Sequence, residues 1–123
     1  MHLFLRGAIV VATNAFALWL ADRIVPGFVL NANITALILI ALILALLNFF
    51  LKPILTLILG PIIILTLGLG VLIVNALILY ILATAAAHID FLQGSIIIQN
   101  IPALFFATLI ISAVNFVIHI AIP

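Results

Sequence analysis

Charged side chains are so rare in this sequence that their scarcity limits the possible folds more than any motif does. They occur at only five positions, which are Arg6, Asp22, Arg23, Lys52 and Asp90. A soluble domain carries about 25% charged residues, whereas this chain has 4% charged and 71% apolar residues. Five charges cannot cover the surface of a domain of 123 residues, so most of that surface must face lipid. We therefore expect one integral membrane domain.

The composition also excludes several functional classes. Nucleic-acid binding needs clustered Lys and Arg, but the net charge here is only +1. The chain has no cysteine, which excludes disulfides, thiol chemistry and cysteine-based metal sites. We find neither a nucleophile–base pair nor a His/Asp/Glu spacing typical of a metal site. The sequence therefore predicts no enzyme, no cofactor, no metal and no small-molecule substrate.

Four apolar runs are long enough to cross the roughly 30 Å hydrocarbon core as helices. The first is expected to end before Asp22. The second should end at Lys52-Pro53, because the residue before a proline resists helical geometry. The sequence thus predicts an all-α bundle of four transmembrane helices, at about 3–21, 33–51, 68–87 and 102–120.

The two halves of the chain resemble each other. A shift of 61 residues aligns Asn14 with Asn75. A shift of 67 residues aligns 33–49 with 100–116, and eight of those 17 positions are identical, including scarce Asn and Phe. Because each half contains two spans, we expect two parallel two-helix repeats related by an axis along the membrane normal. Their predicted bounds are about 3–51 and 68–120, with a linker at 52–67.

The linker is too short for a fifth span. As a helix, residues 53–67 would extend only about 22 Å, and Gly60-Pro61 interrupts them. We expect a break there, in a segment that is re-entrant, interfacial or a kinked extension of the third span. Irregular backbone at membrane depth must be buried in protein or line a cavity.

Asparagines supply the polar groups of the predicted spans. We interpret them either as interhelical hydrogen-bonding groups, worth about 0.6 kcal/mol each, or as the lining of a path for ions, water or lipid headgroups. An amide in lipid is costly, so on either interpretation it should face inward. The candidate intramembrane contacts or pore-lining residues are Asn14, Asn48, Asn75 and Asn115.

Lys52 lies one helical turn after Asn48 and shares its helix face. It is expected to snorkel to the headgroups, or alternatively to pair with an anionic lipid. Arg6 and Lys52 share one predicted side of the membrane, and Asp90 lies on the other with Asp22 and Arg23. By the positive-inside rule, both termini are expected in the cytoplasm.

Small residues recur at four-residue spacing, a pattern that lets membrane helices approach closely. These pairs can pack one bundle internally or join copies of the chain, and the sequence leaves both possibilities open. They are Ala17/Ala21, Ala41/Ala45, Ala83/Ala87 and Thr108/Ser112.

The central stretch, residues 48–76, resembles a known family. It contains N-x-x-x-K-P at Asn48, P-x-x-x-L-T-L-G-L at Pro61 and V-N-A around Asn75. These motifs are similar to those of the YvlD-type, superfamily IV phage-holin-like small membrane proteins. The chain departs from the family pattern in its second loop and at Gly70, where a bulkier residue is usual. The resemblance implies four spans in a bacterial cytoplasmic membrane.

Two functional hypotheses follow. The first is a self-associating membrane protein without enzymatic activity, with a structural or envelope-related role. The alternative is an oligomeric holin-like pore or channel lined by the asparagine faces. Both hypotheses predict the lipid bilayer and further copies of the chain as partners.

Overall fold

Four long apolar helices dominate the computed structural model, which describes residues 2–121. Each is long and apolar enough to cross a membrane. They are α1 (His2–Ile24), α2 (Ile34–Ile58), α4 (Gly70–Ala87) and α5 (Ile101–Ala121), and a short helix, α3 (Gly60–Leu65), separates α2 from α4. The predicted all-α, four-span bundle is confirmed, and the protein is a multi-pass membrane protein.

The long helices form a ring. Both α1 and α4 pack against α2 and α5, and the short connections make consecutive long helices antiparallel. One end of the bundle, the strand end, carries both interhelical loops with their strands. The opposite end, the open end, carries the start of α1, the end of α2, the start of α4 and the end of α5.

Burial is unequal along the bundle. In α1, α2 and α5, every buried residue lies in the middle or in the half toward the strand end. Leu18, Ile40 and Leu82 are fully buried there, so apolar side chains fill the bundle near the strand end. Toward the open end, the same three helices have no buried residue, and space is left between them.

A small β-ribbon closes the strand end, which the sequence analysis did not predict. Strand β1 (Phe28–Leu30) pairs antiparallel with β2 (Ile96–Ile98), with Phe28 opposite Ile98. The Asp22 carboxylate accepts a hydrogen bond from the Leu30 amide at 2.9 Å. A two-stranded ribbon is marginal alone, and buried Phe28 anchors this one to the bundle.

Aligned residues of the two halves have the same local structure at the strand end. Asn33 accepts a hydrogen bond from the Ala36 amide at 2.8 Å and caps α2. Asn100 accepts one from Ala103 at the same distance at the start of α5. A side-chain acceptor of this kind satisfies an amide that the first turn leaves unpaired. The aligned residues Asn33 and Asn100 therefore have a matched structural role.

The predicted end of the second helix at Lys52-Pro53 is wrong. Helix α2 continues through Pro53 to Ile58. Proline removes one backbone donor from the ladder, but membrane helices tolerate that loss because local adjustments satisfy the freed carbonyl. Pro53 therefore does not end α2.

The helix does break at Gly60-Pro61, as predicted. Helix α2 ends at Ile58, and α3 begins at Gly60. Pro61 lies in the first turn of α3, where a missing N–H costs nothing. A turn with positive φ at Leu67 (56°) and Gly68 (96°) leads into α4.

Helix α3 folds back onto the start of α4 and the end of α2. Thr66 connects the end of α3 to the start of α4. Its hydroxyl donates a hydrogen bond to the Ile62 carbonyl and accepts one from the Gly70 amide, both at 2.8 Å. A Cβ on Gly70 would lie 2.8 Å from the Ile63 Cα. The small residue at 70 thus permits the close approach of α3 and α4.

Candidate functional site

One large cavity occupies the open half of the bundle, and all four candidate asparagines line it. Its volume is about 760 Å³, within the roughly 300–1,000 Å³ range of small-molecule pockets. Each of the four long helices contributes one of these side chains, so we call this space the amide cavity. Its asparagines are Asn14, Asn48, Asn75 and Asn115.

Two of these amides have well-defined partners. Asn75 Nδ2 donates to the Ser112 hydroxyl at 3.2 Å and joins α4 to α5. Asn115 Nδ2 donates to the Ile111 carbonyl within its own helix at 3.0 Å. Polar atoms inside a membrane protein must find such partners because lipid supplies none.

Asn14 is different. Its side chain is 1% exposed, and its Nδ2 reaches the Ala41 carbonyl only at 3.5 Å, the long limit of a hydrogen bond. Its Oδ1 is buried and accepts no hydrogen bond from any group in residues 2–121. A buried acceptor without a partner costs about 1–3 kcal/mol, and a hydrogen bond donated by a bound molecule or by water would remove that cost.

Basic side chains line the same cavity. Arg6 comes from the first turns of α1, Lys52 from α2 and His119 from the last turn of α5. No Asp or Glu in the described part of the chain lines it, because Asp22 and Asp90 both lie toward the strand end. The cavity therefore favours an anionic group.

The sequence analysis did not assign Arg6 and His119 to the site with the asparagines. The usable signal was the predicted topology, which places Arg6, Lys52 and the last turn of the fourth span at one end. The predicted topology did not show which helices pack side by side. Because α1 and α5 pack side by side, their end residues reach one cavity.

Most of the remaining lining of the amide cavity is apolar, and the other polar residues are Thr13, Thr108 and Ser112. Ile9 and Val10 come from α1, Phe49 from α2 and Phe116 from α5. Phe49 is 73% and Phe116 66% exposed, so aromatic rings at the edge of the cavity also form part of the outer surface. The site thus joins a basic, amide-lined interior to a lipid-facing apolar surface.

A second, more open groove lies beside the helix break. Lys52, Pro53, Thr56 and Gly60 are among the residues that line it, and Lys52 and Asn48 also line the amide cavity. The structure therefore brings Lys52 and Gly60 to the same groove. Pro61 lies at the start of α3, outside both linings.

Among residues 2–121, no three His, Asp or Glu side chains gather where a metal ion could bind. His119 and His88 each place Nδ1 near a backbone carbonyl one turn earlier in the helix, at 2.9 and 2.8 Å. These contacts lie within single helices and do not bring two histidines together.

Comparison with known proteins agrees with this architecture. A family model described as "Mycobacterial 4 TMS phage holin, superfamily IV" matches residues 5–117. No curated protein and no solved structure matches the chain. The match covers all four spanning helices, and the family is not a class of enzymes. The chain therefore belongs to the four-transmembrane-segment phage holin family of superfamily IV.

Proposed function

We propose that this protein is a self-associating component of the bacterial cytoplasmic membrane, with a structural or envelope-related role and no enzymatic activity. The observation that carries the proposal is the filled core at the strand end. Leu18, Ile40 and Leu82 are fully buried there, and the β-ribbon covers the end of the bundle. The amide cavity is therefore closed on one side, so a single chain offers no continuous path for solutes.

Support for self-association comes from the outer face of α4. Ala17, Ala21 and Ala41 are buried inside the bundle, so their small-residue pairs pack one chain. Tyr80, Thr84 and Ala87, in contrast, are exposed. Residues spaced at i, i+4 and i+7 share one helix face, and a face with small and hydroxyl side chains suits helix association in lipid.

The test is the oligomeric state in lipid. We expect a discrete oligomer by single-molecule photobleaching in liposomes, weakened by the double substitution Thr84→Leu/Ala87→Leu. The matched control is Ala12→Leu, because Ala12 is an exposed alanine on α1. A strictly monomeric particle at all protein densities would contradict the proposal.

A pore is the second candidate function, favoured by the convergence of four amides on one cavity. It requires the strand end to open, or several bundles to create a path together. Proteoliposomes separate the two candidates by leakage of a trapped dye. Tight vesicles at high protein loading support the structural role, whereas leakage that is lost in Asn14→Leu/Asn75→Leu supports a pore.

Charge distribution supports the proposed orientation. Arg6 and Lys52 lie at the open end and Arg23 at the strand end, where Asp22 and Asp90 also lie. Because basic residues concentrate on the cytoplasmic side, we place the open end and both chain ends in the cytoplasm.

A further inference from the structure

The amide cavity combines two unmet chemical requirements. Arg6 and Lys52 contribute cationic groups to its lining, His119 adds an imidazole, and no carboxylate of residues 2–121 lines the cavity with them. Deeper along α1, the Asn14 Oδ1 is a buried acceptor that receives no hydrogen bond from the part of the chain that the structure describes. Arg6 and Asn14 are eight residues apart, about 12 Å along the helix. One ligand that meets both requirements needs an anionic group at one end and a hydroxyl donor at the other.

The surroundings of the cavity narrow the choice further. Phe49 and Phe116 line its edge and are largely exposed on the bundle surface, which in a membrane protein faces lipid. An acyl chain can lie along this apolar surface while its headgroup enters the cavity. Free inorganic anions have no hydroxyl-bearing arm to reach Asn14 and gain nothing from the apolar edge.

We infer that the amide cavity binds a phosphorylated polyol, with the phosphate at Arg6 and Lys52 and a hydroxyl donating to the Asn14 Oδ1. The shared chemistry is that of a phosphoglycerol group, whether in an anionic lipid headgroup or in a soluble phosphate ester. Guanidinium and ammonium groups bind phosphate through charge-assisted hydrogen bonds. The assignment does not depend on self-association, since one chain supplies every group named.

The experiment measures lipid binding to the full chain in nanodiscs. The probes are phosphatidylglycerol, phosphatidic acid, which lacks the headgroup hydroxyls, and phosphatidylcholine as the background lipid. We expect phosphatidylglycerol to bind more tightly than phosphatidic acid, and both to bind more tightly than phosphatidylcholine. Soluble sn-glycerol 1-phosphate forms a separate arm. Competition by this ester at similar affinity assigns the site to a soluble ligand, and its failure assigns the site to lipid.

Variants separate the two ends of the proposed ligand. Arg6→Gln/Lys52→Gln should weaken binding of both anionic lipids by about 10-fold or more, from the loss of charged hydrogen bonds. Asn14→Leu should weaken phosphatidylglycerol by about 3- to 10-fold and leave phosphatidic acid unchanged. Arg23→Gln is the matched control, because Arg23 lies at the strand end with its guanidinium 5.1 Å from the Trp19 ring centre.

Two results would overturn the inference. One is equal binding of phosphatidylglycerol and phosphatidylcholine, which would mean that the cavity does not bind an anionic headgroup and holds only water. The other is an Arg23→Gln effect as large as that of the Arg6/Lys52 pair, which would indicate only a general attraction of cations to an anionic surface. If Asn14→Leu fails to fold, Arg6→Gln alone still tests the phosphate end of the site. Arg6 is exposed, so its substitution should leave the fold intact.

Discussion

Lipid cannot hydrogen-bond the amide of an asparagine inside a membrane helix, so the surrounding protein determines where that residue can lie. Each of Asn14, Asn48, Asn75 and Asn115 lies on a different helix of this bundle, and all four line one cavity. They face inward because an amide exposed to lipid would lack hydrogen bonds. This cost does not determine their hydrogen-bond partners. Asn75 donates to Ser112, whereas the Asn14 Oδ1 accepts no hydrogen bond from residues 2–121.

The two capping asparagines give a prediction at the residue scale. Asn33→Ala and Asn100→Ala should each lower the free energy of unfolding by about 1 kcal/mol, because each removes the acceptor of one first-turn amide. Thermal unfolding in a mild detergent measures the loss. Asn33→Ser and Asn100→Ser, which keep a capping oxygen, serve as controls. A large loss at one position and none at the other would show that the two caps are not equivalent.

At the scale of elements, the segment between α2 and α4 shows how packing determines backbone shape. Pro53 is tolerated inside α2, whereas Gly60-Pro61 accompanies a break. Helix α3 contains no buried residue, and Leu67 is 95% exposed. Such apolar exposure fits contact with lipid. The depth of this segment, interfacial or re-entrant, stays a prediction, as does the division of the chain into two repeats with a linker.

Two glycines in this segment make a matched test. Gly70→Ala should destabilise the bundle by about 1–3 kcal/mol, because the new Cβ would lie 2.8 Å from the Ile63 Cα and 3.0 Å from its nitrogen. Gly60→Ala has no atom within 4 Å of its new Cβ and should leave the unfolding midpoint unchanged or slightly higher. Equal midpoints for the two variants would contradict the close packing of α3 on α4.

For the whole molecule, the four spans place the start of α1 and the end of α5 at the end of the bundle that lies opposite the β-ribbon. Even numbers of crossings return a chain to its starting side, and the short loops leave no other arrangement. In a single chain, the amide cavity therefore lies toward the open end, whereas buried apolar side chains fill the strand end.

The absence of cysteine from the sequence allows a direct test of sidedness. In the proposed orientation, a membrane-impermeant maleimide should label Phe91→Cys in intact spheroplasts, because Phe91 lies at the strand end and is 69% exposed. It should label His2→Cys only in inverted vesicles, since His2 begins α1 at the open end. The unsubstituted chain is the blank. Labelling of both positions from the same side would contradict an arrangement with four spans.

The sequence by itself determined the membrane setting, the four helices and the break at Gly60-Pro61. These depend on hydropathy, span length and backbone chemistry, all of which are local. Tertiary structure decided the rest. Helix α2 passes through Pro53, the two loops pair as a β-ribbon, and Arg6 and His119 join the asparagines in one cavity. These features depend on which helix faces meet, and in a chain rich in Leu and Ile the apolar pattern does not specify those faces.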